Sequence, residues 1–104
     1  MYKILITTSN DKSILDMIAK ECILNKKLSP CAHIINDASS FYLWNDDFIS
    51  EKEYLLFIKC KDENIERIND IISANHNYDV PELVSVQFDI VSEKYKEWFN
   101  KKWV

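Results

Sequence analysis

The chain has 104 residues, 47% of them apolar, which suffices for one compact domain with a sizeable core and argues against disorder. Its net charge is −4, with acidic and basic residues interspersed and Arg67 as the sole arginine, so neither a nucleic acid nor an anionic membrane is the expected partner. There is no glycine, which excludes phosphate-cradling glycine loops and leaves positive-φ positions to residues such as Asn25, Asn45 and Asp46.

Tyr2–Thr8 reads as the first strand, with Ile4 and Ile6 on one face and Leu5 on the other. Ser9-Asn10-Asp11 supplies capping candidates for a helix running to about Lys26, with Leu15, Ile18, Ala19 and Cys22 as its buried stripe. Ser29-Pro30 breaks that helix. Two long arms follow, Cys31–Trp44 and about Ile49–Lys61, around a polar turn at Asn45-Asp46-Asp47 and with a bulge near Asn36-Asp37-Ala38. At about 14 residues each, the arms exceed the usual strand of roughly 5–6 and should project past the body of the domain. Asp62-Glu63 caps a second helix ending near Ala74, with the stripe Ile65, Ile68, Ile71 and Ile72. A turn at 76–82 leads to a fourth strand, Leu83–Ile90, and Ser92-Glu93 caps a last helix carrying Tyr95, Trp98 and Phe99.

The order β-α-β-β-α-β plus a C-terminal helix is the ferredoxin-like α+β arrangement, a two-layer sandwich with an extended β2–β3 hairpin, expected as a single domain over 1–104. Two helices cover one face of such a sheet, yet the third strand is apolar on both faces. Tyr54, Leu56 and Ile58 lie on one side, with Leu55 and Phe57 on the other. Packing against copies of the same chain is the simplest cover.

The odd count of cysteines, Cys22, Cys31 and Cys60, with no CxxC spacing, suits a reducing compartment. The chain opens without a basic leader or apolar h-region, and no segment approaches the roughly 20 apolar residues needed to span a bilayer. The expectation is a cytoplasmic protein.

Several stretches resemble one family. Leu28-Ser29-Pro30-Cys31-Ala32-His33-Ile34 is similar to a Leu-Ala-Ala-Cys-Val-Asn-Ile motif, Ser40-Phe41-Tyr42-Leu43-Trp44 to Ser-x-Tyr-x-Trp, and His76-Asn77-Tyr78-Asp79-Val80-Pro81-Glu82 to His-Pro-Tyr-x-x-Pro-Glu. Glu51–Lys59 has a similar charged start, apolar run and closing Ile-Lys, and Tyr95-Lys96-Glu97-Trp98-Phe99 is similar to Tyr-x-x-Trp-Leu. Together they resemble the CutA divalent-cation tolerance proteins. That resemblance implies a PII-like trimer whose long hairpin packs on neighbouring subunits, and a role linked to copper and other divalent ions without catalysis. The chain departs from the pattern at His33, where Asn is usual, and at Asn77, where Pro is usual. A strand-1 Cys associated with copper in one branch of the family is replaced here by Ile6, and a His-His pair becomes Asn75-His76.

His76 is therefore the metal ligand that the resemblance carries over, weighed against a turn histidine bonded to backbone. Cys31, His33 and Cys60 form a second candidate. If the hairpin turns at Asp46-Asp47, Cys60 comes opposite His33, and alternation puts Cys31 on the same face. The competing reading makes the cysteines small core residues, and a bulge in either arm would reverse the parity. Tyr42, Trp44, Lys59, Tyr78 and Glu82 are the candidates for an intersubunit cleft. A PII-like scaffold holding a small anion beside Lys59 is the alternative function. Glu51 and Glu53 read as solvated, and Trp98, Phe99 and Trp103 as sealing the core or a subunit contact. No nucleophile with its base can be named, so an enzyme is not expected.

Overall fold

The computed structural model describes residues 1–101; Trp103 lies outside them. β1 (Tyr2–Ser9), β2 (Cys31–Trp44), β3 (Asp47–Lys61) and β4 (Val84–Phe88) form one antiparallel sheet in the order β2-β3-β1-β4. Helices α1 (Lys12–Lys20) and α2 (Ile65–Asn75) pack on one face, and α3 (Glu93–Phe99) follows β4. This is the expected ferredoxin-like sandwich.

Its core lies between the helices and one face of the sheet. Leu5, Leu56, Ile58 and Cys60 meet Leu15, Ile18 and Cys22 from the first helical segment and Ile68 and Ile72 from α2, all of them buried. The amphipathic stripes read from the sequence supply these contacts. α1 starts at Asp11, whose carboxylate accepts from the Ser13 N–H at 3.0 Å.

Two local features depart from the simple helical reading. α1 continues as a π-helical turn over Glu21–Asn25, so the left-handed residue that reverses the chain is Lys27 (φ 52°) and not Asn25. The second helix is entered through a 3₁₀ turn at Asp62–Asn64 with no side-chain cap; Asn64 instead donates to the Leu28 carbonyl at 3.1 Å.

The hairpin turns at Asn45 (φ 50°) and Asp46 (φ 66°), the left-handed pair that a tight hairpin needs when glycine is missing. Its strands run 14 and 15 residues. The radius of gyration is 14.5 Å and the long axis 46 Å, against about 13 Å expected for a compact chain of this size. Ser29 pins the base of the hairpin, donating from Oγ to the Lys59 carbonyl at 2.6 Å and accepting from the Cys31 N–H at 3.2 Å. A register shift between Ile35 and Ala38, where Asp37 adopts φ 62°, reverses the alternation of β2 relative to β3.

On the face opposite α1 and α2, cross-strand rows run Ile35-Leu55-Thr8, His33-Phe57-Ile6-Val84 and Cys31-Lys59-Ile4-Val86. α3 closes one end of this face through Phe99, which is buried with its ring 5.3 Å from Tyr2 and 6.1 Å from Phe88. Trp98 remains 44% exposed. Val84, Val86 and Ile35 stay about half exposed, and Phe41, Leu43, Trp44 and Phe48 on the hairpin more so.

Candidate functional site

The segment 76–83, between α2 and β4, is strapped across the end of β1. His76 donates from Nε2 to the Thr8 carbonyl at 2.8 Å and accepts the Tyr78 N–H on Nδ1 at 3.0 Å, which fixes its tautomer. Asn77 accepts from Ser9 Oγ at 2.6 Å and donates to Asn10 Oδ1 at 2.9 Å. These are side-chain bonds that a proline at 77 could not make. The Asn10 N–H donates to the Tyr78 hydroxyl at 2.9 Å, and that hydroxyl donates to Glu53 Oε2 at 2.6 Å.

This network places Tyr78, Asp79, Val80 and Glu82 opposite the hairpin. Between them lies a cavity of about 450 Å³, completed by Phe41, Tyr42, Trp44 and Ile49 from the hairpin and by Thr8 and Glu53 from its floor. Four of the expected cleft residues, Tyr42, Trp44, Tyr78 and Glu82, thus line one cavity within a single chain.

Lys59 is not among them. It stands at the other end of β3, half-buried, with Nζ 3.2 Å from the Tyr95 hydroxyl and 5.2 Å from the centre of that ring. The cavity lining holds three carboxylates, those of Glu53, Asp79 and Glu82, and no basic side chain. That electrostatic character disfavours an anion there.

Glu53 corrects the reading of β3. Expected in solvent, it is 5% exposed, because the 76–83 segment folds over it and Tyr78 supplies a hydrogen bond. The signal was present in the sequence: Glu53 shares its parity with Leu55 and Phe57, the apolar run on that face. Glu51 is also engaged, accepting from the Tyr42 hydroxyl at 2.6 Å. That bond, with burial second, pushes the Tyr42 phenol up to about 12. Burial and then the Glu53 hydrogen bond push the Tyr78 phenol up further. Both phenols therefore stay protonated and able to donate well above neutral pH.

Of the two readings of Cys31, His33 and Cys60, the soft-ligand trio does not assemble in the chain. Cys31 and His33 share the open face, with Sγ and Nε2 3.5 Å apart. Cys60 is fully buried in the helix-facing core. The register pairs His33 with Phe57 and Cys31 with Lys59, so Cys60 points the other way, and the bulge before Ala38 is the cause. Burial also pushes its thiol up to about 11. Among the described residues, no group of three or more His, Cys, Asp and Glu side chains is arranged to hold a metal ion.

Comparison with known proteins follows the same lines. Protein CutA, chloroplastic, of Arabidopsis thaliana is 37% identical over 78 residues, covering 75% of this chain but only 43% of that protein. The crystal structure of CutA1 from Oryza sativa superposes with a TM-score of 0.86 at 28% identity, covering 94% of this chain and 89% of that one. The periplasmic divalent cation tolerance protein CutA from Archaeoglobus fulgidus shares the fold, with a TM-score of 0.87 at 23% identity and 96% of each chain covered. The profile described as CutA1 divalent ion tolerance protein matches residues 3–102, and the chain belongs to that family.

Proposed function

We infer that this chain serves divalent-cation tolerance, with copper as the first ion to consider, as a homotrimer that acts by binding and not by catalysis. The observation that carries the reading is the open face of the sheet. Ile4, Ile6, Leu55, Phe57, Val84 and Val86 form a contiguous apolar surface there, continuous with the exposed aromatic hairpin. A patch of this kind on a small domain is a surface for association. Family membership supports both the trimer and the link to divalent ions.

A resident copper ion fits poorly within one chain. Both nitrogens of His76 are spent on backbone groups, and Cys60 is shut in the core. Cys31 and His33 offer two soft donors where copper or zinc sites take three or four. An ion held there draws its remaining donors from another copy or from solvent. Binding without catalysis is favoured by membership in a family described by its tolerance of divalent ions. The free thiols of Cys22, Cys31 and Cys60 favour a reducing compartment such as the cytoplasm.

Sedimentation velocity at micromolar concentration tests the assembly: a trimer mass is expected, and a stable monomer overturns it. Copper calorimetry on the wild type beside Cys31→Ser tests the ion. Binding weakened by the substitution is expected, whereas equal isotherms remove the Cys31–His33 pair from the reading.

A further inference from the structure

The geometry points to the cavity between the hairpin and the 76–83 segment as a binding site for a primary ammonium group on a short alkyl chain. This goes beyond the divalent-ion reading, which rests on the open face of the sheet and on Cys31 and His33, and it is tested apart from that reading.

Three features converge on that chemistry. The walls are aromatic, with Phe41, Tyr42, Trp44 and Tyr78 around a space of about 450 Å³. Aromatic faces attract a cation through their quadrupole and accept an alkyl body through burial of apolar surface. The floor carries Glu53, 5% exposed, whose Oε2 is taken by the Tyr78 hydroxyl while Oε1 receives no hydrogen bond among the described residues. A carboxylate oxygen that lines the cavity, still reachable and with no protein donor on it, is a place for a charge-assisted N–H bond. The rim adds Asp79 and Glu82, and no lysine, arginine or histidine lines the space to compete for these carboxylates.

The same features select against other ligands. An anion meets three carboxylates. A divalent metal ion needs several oxygens converging on one point, and among the described residues no such group exists. A monovalent cation with an apolar body suits carboxylates that are spread around aromatic walls.

The ammonium could belong to a free amine or to a lysine of another copy of this chain, since both present the same head group. Titration with n-butylammonium, n-butanol and butyrate, followed by calorimetry and by quenching of Trp44, separates charge from shape. Saturable quenching by butylammonium is expected, about tenfold tighter than by butanol, with none by butyrate. Glu53→Gln keeps an acceptor for Tyr78 and should erase the preference for the ammonium. Trp44→Leu, an exposed position, should remove the quench and leave the circular dichroism unchanged.

Sedimentation of the same samples separates the two sources. If a lysine of another copy fills the cavity, butylammonium lowers the assembled mass; if a free amine fills it, the mass is unaffected. Equal affinity for butylammonium and butanol, no saturable binding at millimolar concentration, or full binding by folded Glu53→Gln would each overturn the assignment. The mass of the unliganded protein reports separately on the trimer.

Discussion

Tyr78 donates its hydroxyl to Glu53 Oε2 across 2.6 Å, joining the 76–83 segment to the middle of β3. Tyr78→Phe keeps the ring and removes the donor, leaving a carboxylate that is 5% exposed without it. Loss of a hydrogen bond to a charged buried group costs about 2 kcal/mol. Urea unfolding at neutral pH should show the midpoint falling with an unchanged slope. A midpoint equal to the wild type would mean that the loop holds Glu53 by other contacts.

Val86 occupies the edge strand on the open face and is 51% exposed in the single chain. In a monomer, Val86→Asp should change stability by no more than about 0.5 kcal/mol. In a trimer packed through this face, the same change buries a charge without a partner and should cost several kilocalories of association. Sedimentation velocity should therefore show the variant as a folded monomer at concentrations where the wild type is assembled. An unchanged mass would place the subunit contact elsewhere.

His76 spends both ring nitrogens within the chain, on the Thr8 carbonyl and the Tyr78 N–H. His76→Ala should lower stability by roughly 2 kcal/mol, because two partly buried bonds go together. The copper isotherm should stay that of the wild type. Faster hydrogen exchange at the Tyr78 amide would confirm that the loop has loosened. Loss of copper binding by a folded His76→Ala protein would make the histidine a ligand after all.

The parts of this molecule that were legible in the sequence are those set by local chemistry. Alternation gave the strands, the apolar stripes gave the helix faces, and Asn45-Asp46 gave the hairpin turn. The bulge near Asp37 was legible too, and so was its power to reverse the parity that would set Cys60 beside His33. Reading which face Cys60 takes requires knowing whether one residue or two is skipped, and composition does not say. Glu53 was missed for a different reason. Its partner Tyr78 lies 25 residues away in sequence, and only the closed fold brings a donor to it. Lys59 and Tyr42 share the same hairpin, yet the length of β3 keeps the lysine from the cavity that the tyrosine lines.

Thr7 points into the helix-facing core at 1% exposure, and its Oγ1 has no hydrogen-bond partner among the described residues. A buried hydroxyl without a partner costs about 1–3 kcal/mol of desolvation. Thr7→Val has nearly the same shape, suits a strand and removes that cost. Its thermal midpoint should rise above the wild type, consistent with a gain of about 1 kcal/mol. A fall would show that the hydroxyl is satisfied in solution, as by a buried water.

Alkaline pH should destabilise the fold through its buried thiols. Cys22 is pushed up to about 12, first by burial and then by the charge of Glu21. Cys60 is pushed up to about 11, first by burial and then by Asp62. Both have an ordinary value of 9.0, so between these limits the folded chain binds more protons than the unfolded one. Stability from this source is fully present below the ordinary value and is lost as pH rises through the folded values. Tyr42, raised from 10.0 to about 12, and Tyr78, also raised, act in the same direction at the upper end. Urea midpoints should thus hold steady to about pH 9 and decline toward pH 11, the window set by these values. A Cys22→Ala/Cys60→Ala variant should begin lower, from lost packing, and decline less steeply. Parallel declines in the two proteins would clear the thiols and leave the phenols as the cause.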